Sequence, residues 1–187
     1  LWYKLQSYPV HIRRMIASGM GILSADTWNS IFDKFNSILP SSWEQRNPGD
    51  KLQKLSQAMS AKDYADFYKK LVSWWKQPED LLIKGTEPKS LIDDVYFWPD
   101  LKDFTLLMQY LDMKTYLMDD IMTKVDRSSM AVSLECRSPF LDPQVVEFSW
   151  KVPQELKIGS KQGKILTRKL LSKYLPQELF ERPKSGF

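Results

Sequence analysis

Residues 124–142 read KVDRSSMAVSLECRSPFLD. Ahead of Asp142 the stretch sets five charged side chains, Lys124, Asp126, Arg127, Glu135 and Arg137, among Val, Met, Ala, Leu and Phe. Charges cost free energy to bury unless they are paired and hydrogen-bonded. The stretch is therefore either the solvated side of a core helix or part of a polar site. Stepping about 100° per residue from Asp119 to Val132 puts Ile121, Met122, Val125, Ser129 and Val132 on one arc. Asp120, Thr123, Lys124 and Arg127 fall on the opposite arc, with Asp126 at the boundary. An exposed pair such as Asp120–Lys124 contributes only about 0.2–0.5 kcal/mol, so spacing alone favours a solvated face. Glu135 and Arg137 read as an ion pair that pins the following turn. A buried Phe140–Leu141 pair and Asp142, as the cap of the next helix, follow.

Working outward, helical punctuation dominates. Pro9 suits a first turn and Gly19 and Gly21 suit a helix end. Ser24 is a candidate cap, followed by Trp28, Ile31, Phe32 and Phe35 on one helical face. Residues 36–50, with Pro40, Pro48 and Gly49, read as a loop, and Leu52, Leu55 and Met59 then share a face. Ser60 and Asp63 suggest a capping box ahead of Tyr64, Phe67, Tyr68, Leu71 and Trp75. Residues 77–100 are broken by Pro78, Gly85, Pro88 and Pro99 and predict an irregular connection with a short helix near Leu91. Helices are predicted again from Leu101, from Asp119, from Asp142–Pro143 to just before Pro153, and over Lys164–Tyr174. A single turn is predicted at Gln177. No alternating strand or hairpin signal is present. The expected fold class is all-α.

The bulk numbers bound the function. A chain of 187 residues that is 43% hydrophobic can bury a core. A net charge of +4 is too slight for the dense basic stripe of a nucleic-acid binder. With one Cys, Cys136, and one His, His11, neither an internal disulfide nor a Cys/His zinc site can form. No apolar run approaches the roughly 20 residues of a membrane span. With no secretory signal, the expected compartment is the cytoplasm. The first residues, LWYKLQ, and the last, RPKSGF, suggest a fragment of a longer protein. In the closing ERPKSGF, Pro183 and Gly186 flank Lys184. A loop of this kind presents one ammonium, with three donors, as phosphate oxygens require. By itself a lysine in such a loop is more often plain surface.

Taken together, YLMDDIMTKVDRSSMAVSLECRSPFLDPQVVEF and KQGKILTRKLLSKYLPQELFERPKSGF resemble the synthetase domain of glutamine-dependent asparagine synthetases. The resemblance covers Tyr116 to Phe187; the preceding residues add only a compatible helical context. It implies the C-terminal helical part of an α/β ATP-pyrophosphatase synthetase domain, with residues 1–187 as one partial domain. The family's Ser-Gly-Gly-x-Asp-Ser pyrophosphate loop and its N-terminal glutaminase domain are absent from this sequence. Cys136 stands where an Ala is common in the family and is expected to be small and buried, not the glutaminase nucleophile.

The implied reaction is ATP-dependent amidation of aspartate through β-aspartyl-AMP, with glutamine-derived ammonia and with Mg2+ bound through the phosphates. Within it Lys184 is the expected catalytic contact to the phosphates and the reacting centre, and Lys124 a basic group near the nucleotide. Asp120 lies close to an acidic position of the family's site, a carboxylate that some members place one residue later, where this chain has Ile121. Asp126, Arg127, Glu135, Arg137 and Asp142 are expected to bind or to brace the helix so that Lys124 faces the cleft. No protein metal ligand is expected. The expected partners are ATP, aspartate, ammonia and the glutaminase domain of the same chain; a homodimer is admitted but not specified. Neither nucleic acid nor membrane is expected. The competing readings are amidation of another carboxylate, such as a sugar uronic acid, then ring closure of the β-lactam synthetase kind. A third, from a different class, is a non-enzymatic helical module docking through Trp74–Trp75.

Overall fold

The computed structural model describes residues 2–35, 47–73, 75, 78–159 and 162–181. Among these residues the chain is helical, and its one β feature is an isolated antiparallel bridge between Ile158 and Gly163. Contacts divide it into two compact units, residues 1–123 and 124–187.

In the first unit, helices α1 (Trp2–Gln6), α2 (Val10–Gly21), α3 (Ala25–Phe35), α4 (Pro48–Met59), α5 (Tyr64–Val72) and α6 (Phe104–Lys114) follow one another. Their ends are set by local chemistry. The Ser24 hydroxyl accepts the Thr27 N–H at 3.1 Å, and the Asp103 carboxylate accepts those of Thr105 and Leu106. Helix α4 begins three residues inside the predicted loop, because Pro48 occupies its first turn, where a missing N–H costs nothing. The cap of α5 is Asp63 and not Ser60: its carboxylate accepts the Asp66 N–H at 2.8 Å. Asp66 in turn accepts the Lys62 N–H at 2.8 Å.

Helix α4 packs on α2, α3 and α5. The core joins α1, α5 and α6 through aromatic rings. Trp2 lies 4.9 Å from Phe67 and 5.9 Å from Phe104, and Phe67 and Phe104 meet edge-on at 5.8 Å. Such pairs add about 0.5–1.5 kcal/mol each beyond their burial. Trp98, after a 3-10 turn at Val95–Phe97, closes this core and donates its indole N–H to the Leu91 carbonyl at 2.7 Å. The short helix expected near Leu91 is therefore a plain turn, and 3-10 turns lie instead at Pro78–Leu81 and Val95–Phe97. Trp75, expected on the face of α5, is exposed and lies beyond the end of that helix. Trp74 lies outside the described residues.

Among the described residues of this unit one charged side chain is buried. Arg13, 3% exposed, donates to the carbonyls of Tyr8, Met59 and Ala61, with its guanidinium carbon 5.6 Å from the centre of the Trp2 ring. The unit ends in a π-helical segment, Tyr116–Met122. A π turn is wider than an α turn, so the 100° stepping used for the sequence misplaces residues 119–122.

The second unit holds α7 (Thr123–Met130, whose first residue belongs to the first unit), α8 (Pro143–Lys151), α9 (Gln154–Lys157) and α10 (Ile165–Leu171). Helix α9 packs on α10. Helix α10 stops three residues short of the predicted Tyr174, and a 3-10 turn follows at Gln177–Leu179. No described residue of this unit is buried.

Candidate functional site

Five of the motif residues, Lys124, Asp126, Arg127, Glu135 and Arg137, fall on α7 and on the segment after it. Lys124, Asp126 and Arg127 are all exposed on α7. Thr123, at its first position, donates its hydroxyl to the Met118 carbonyl at 3.0 Å. The helix closes with two reverse bonds: Leu134 N–H to Ser129 carbonyl at 3.0 Å and Ser133 N–H to Met130 carbonyl at 3.0 Å. This is a Schellman end, with Ser133 in the left-handed region at φ 60°. It terminates α7 without the usual glycine and leads the chain into residues 134–138, which form no regular element.

There Arg137 and Glu135 meet, Nε to Oε1 at 2.8 Å. Their side chains are 65% and 83% exposed, so the pair is worth at most about 1 kcal/mol. The expected ion pair is present, as a pairing within one segment. Cys136 and Phe140 correct the sequence reading, since both are exposed. Burial requires a covering surface, and a sequence pattern marks only the residues suited to one. Asp142 caps α8 as predicted, accepting the Gln144 N–H at 2.8 Å.

Asp120 lies in the π segment of the first unit and is half-buried. Lys184 lies outside the described residues. The structure therefore groups Lys124, Asp126 and Arg127 on one short helix, and Glu135 with Arg137 after it.

Residues that the motif reading missed line a cavity of about 420 Å3 in the same unit: Arg168, Lys169, Phe180 and Glu181, with Gln162 and Ile165. Arg168 and Glu181 are 13 residues apart, too far for any local spacing rule to pair them. In the first unit a cavity of about 600 Å3 is lined by Lys69, Lys70, Asp66, Glu79, Glu87 and Trp75, among others. Its lysines are engaged, Lys70 with Asp66 at 2.9 Å and Lys69 with Asp93 and Glu87. The Lys69 ammonium holds the Asp93 carboxyl down at about 2, against the opposing effect of burial and with help from Ser90. Burial acts to raise the Asp66 pKa, but hydrogen bonds from Lys70 and from the Lys62 backbone outweigh it and leave it lowered. Among the described residues no three His, Cys, Asp or Glu side chains are grouped to hold a metal ion, and no helix is long and apolar enough to cross a membrane.

The family model described as asparagine synthase matches residues 8–187. A protein of Bacillus subtilis (strain 168) named asparagine synthetase [glutamine-hydrolyzing] 1 is 42% identical over 80 residues, 43% of this chain and 13% of that protein. A putative asparagine synthetase [glutamine-hydrolyzing] of Mycobacterium tuberculosis (strain H37Rv) is 41% identical over 80 residues, 43% of this chain and 12% of that protein. Asparagine synthetase [glutamine-hydrolyzing] 3 of Bacillus subtilis is 38% identical over 78 residues, 42% of this chain and 12% of that protein. The matched stretch thus spans about an eighth of each relative's length. No solved structure matches.

Proposed function

This chain belongs to the asparagine synthase family, and from that premise we propose that it is the C-terminal helical part of a synthetase domain that amidates aspartate with ATP and glutamine-derived ammonia. The domain in this reading has the ATP-pyrophosphatase fold, and a glutaminase domain of the same polypeptide supplies the ammonia. The observation that carries the reading is the family match over residues 8–187. It coincides with the block Lys124–Asp142 and the closing Arg182-Pro183-Lys184.

The proposed chemistry has two halves. The aspartate β-carboxylate attacks the α-phosphorus of ATP, pyrophosphate leaves, and β-aspartyl-AMP forms. Ammonia then attacks the acyl carbon and AMP leaves. Charge builds on the departing pyrophosphate and then on the acyl oxygen, so fixed cations lower both barriers. Lys184 is the proposed contact to the phosphates, and Lys124, exposed on α7, the second cation. Asp120, Asp126, Arg127, Glu135 and Arg137 bind or support. Magnesium in this reading arrives with the nucleotide, on phosphate oxygens, and no step is assigned to it.

The test is pyrophosphate release by the full-length polypeptide with ATP, magnesium and ammonia, with and without aspartate. Aspartate-dependent release with asparagine as product is the expected result. Release that ignores aspartate but responds to a sugar uronic acid moves the assignment to another carboxylate. Nucleotide-independent proteolysis around Lys124 and Lys184 would instead favour a helical adaptor. Residues 1–187 alone are expected to form no asparagine, since the pyrophosphate-loop motif is missing from them.

A further inference from the structure

One ion pair of the second unit ties α10 to the end of the described chain. Arg168 donates through Nη1 to the Glu181 carboxylate and through Nε to the Gly163 carbonyl at 3.2 Å. A single guanidinium thus joins three places: the turn before α10, α10 itself, and Glu181. An arginine can do this because its planar fork directs several N–H groups at once. Glu181 is held by its backbone as well. Its N–H and that of Phe180 both donate to the Gln177 carbonyl, at 2.8 and 3.1 Å. Glu181 is three residues before Lys184 in the sequence.

We propose that Arg168 is a positioning residue: by engaging Glu181 it fixes the point from which the Lys184 segment departs and keeps that carboxylate occupied. The inference rests on the reading of Lys184 as the phosphate-contacting group. Both side chains are part-exposed, 34% for Arg168 and 40% for Glu181. The coupling is accordingly modest, about two- to fivefold in rate.

The experiment is ATP–pyrophosphate exchange in the full-length polypeptide, using Arg168→Ala, Glu181→Ala, the double variant, Lys184→Ala, and Arg168→Ala combined with Lys184→Ala. Unfolding midpoints and amide exchange of residues 177–187 are followed in parallel. Each single variant at Arg168 or Glu181 is expected to lower kcat/KM for ATP about two- to fivefold. The double variant should lose no more than either single one. Amide exchange in the tail should quicken alike in both, and Arg168→Ala should add nothing to the residual rate of Lys184→Ala. Losses at Arg168 and Glu181 that multiply, or an undiminished Arg168 effect in the Lys184→Ala background, overturn the inference while leaving the role of Lys184 intact. Normal exchange by Lys184→Ala overturns both. Should Arg168→Ala not fold, Glu181→Gln, which removes only the charge, gives the same comparison with Lys184→Ala.

Discussion

Gly49 lies so close to Ala25 that a Cβ on Gly49 would stand 2.1 Å from the Ala25 carbonyl oxygen. The contact joins the first turn of α4 to the start of α3, and the Gly49 N–H donates to the Asn29 side chain at 2.8 Å. The obstacle is backbone, which cannot rotate away. Gly49→Ala is expected to destabilise the chain by about 3 kcal/mol or more, read as a lower urea midpoint. A midpoint within error of the parent would show that α3 and α4 do not approach this closely.

Arg13 is expected to behave as a structural charge. Arg13→Ala leaves three carbonyls without their donor and opens a void beside Trp2, at a cost of about 2–4 kcal/mol. Arg13→Lys keeps the charge but not the fork, and should recover only part of that. Equal stability of the lysine variant and the parent in urea titrations would refute the need for the fork.

Tyr68, 1% exposed, donates its hydroxyl to Asp112 at 2.7 Å. Tyr68→Phe should cost about 1–2 kcal/mol. Burial, then the Asp112 bond, raises the Tyr68 pKa above its usual value. The folded form therefore holds the phenolic proton more tightly, and its stability advantage is complete below about pH 10 and declines above it. In Tyr68→Phe this component of the alkaline decline should vanish, as thermal melts across that range would record.

The Asp93–Lys69 pair gives the opposite sign. With its carboxyl held at about 2, Asp93 contributes stability above its unfolded value near 4 and loses it as the pH falls toward 2. Lys69 is 45% exposed, which limits the contribution to about 1 kcal/mol. Melting-temperature differences between the parent and Asp93→Asn should be present at pH 6 and close between pH 4 and 2. A difference that persists at pH 2 would assign the effect to packing instead.

Ser133 occupies a left-handed position at the end of α7, φ 60°, which a glycine takes without steric cost. Ser133→Gly should stabilise the end of α7 by roughly 0.5–1 kcal/mol, and Ser133→Val should weaken it. Amide exchange at Ser133 and Leu134, whose N–H groups make the two closing bonds, reads this directly. Faster exchange in the glycine variant would contradict the Schellman end.

The helical class and some helix ends were legible in the sequence, because they depend on neighbours a few residues apart. Asp142 and Pro143 start α8 as read, whereas α6, expected from Leu101, starts at Phe104 with Asp103 as its cap. The motif that carries the family assignment is likewise a matter of order along the chain. What tertiary structure decided are pairings and exposures that no spacing rule reaches. Arg13 is buried because carbonyls 46 and 48 residues away receive it. Asp63 displaced Ser60 as the α5 cap because its carboxylate, not the serine hydroxyl, meets the Asp66 N–H. Cys136 and Phe140 were read as buried and are exposed, since burial is a property of what covers a residue and not of the residue. Arg168 and Glu181 meet only because α10 and the turn after it bring together side chains that the sequence keeps 13 residues apart.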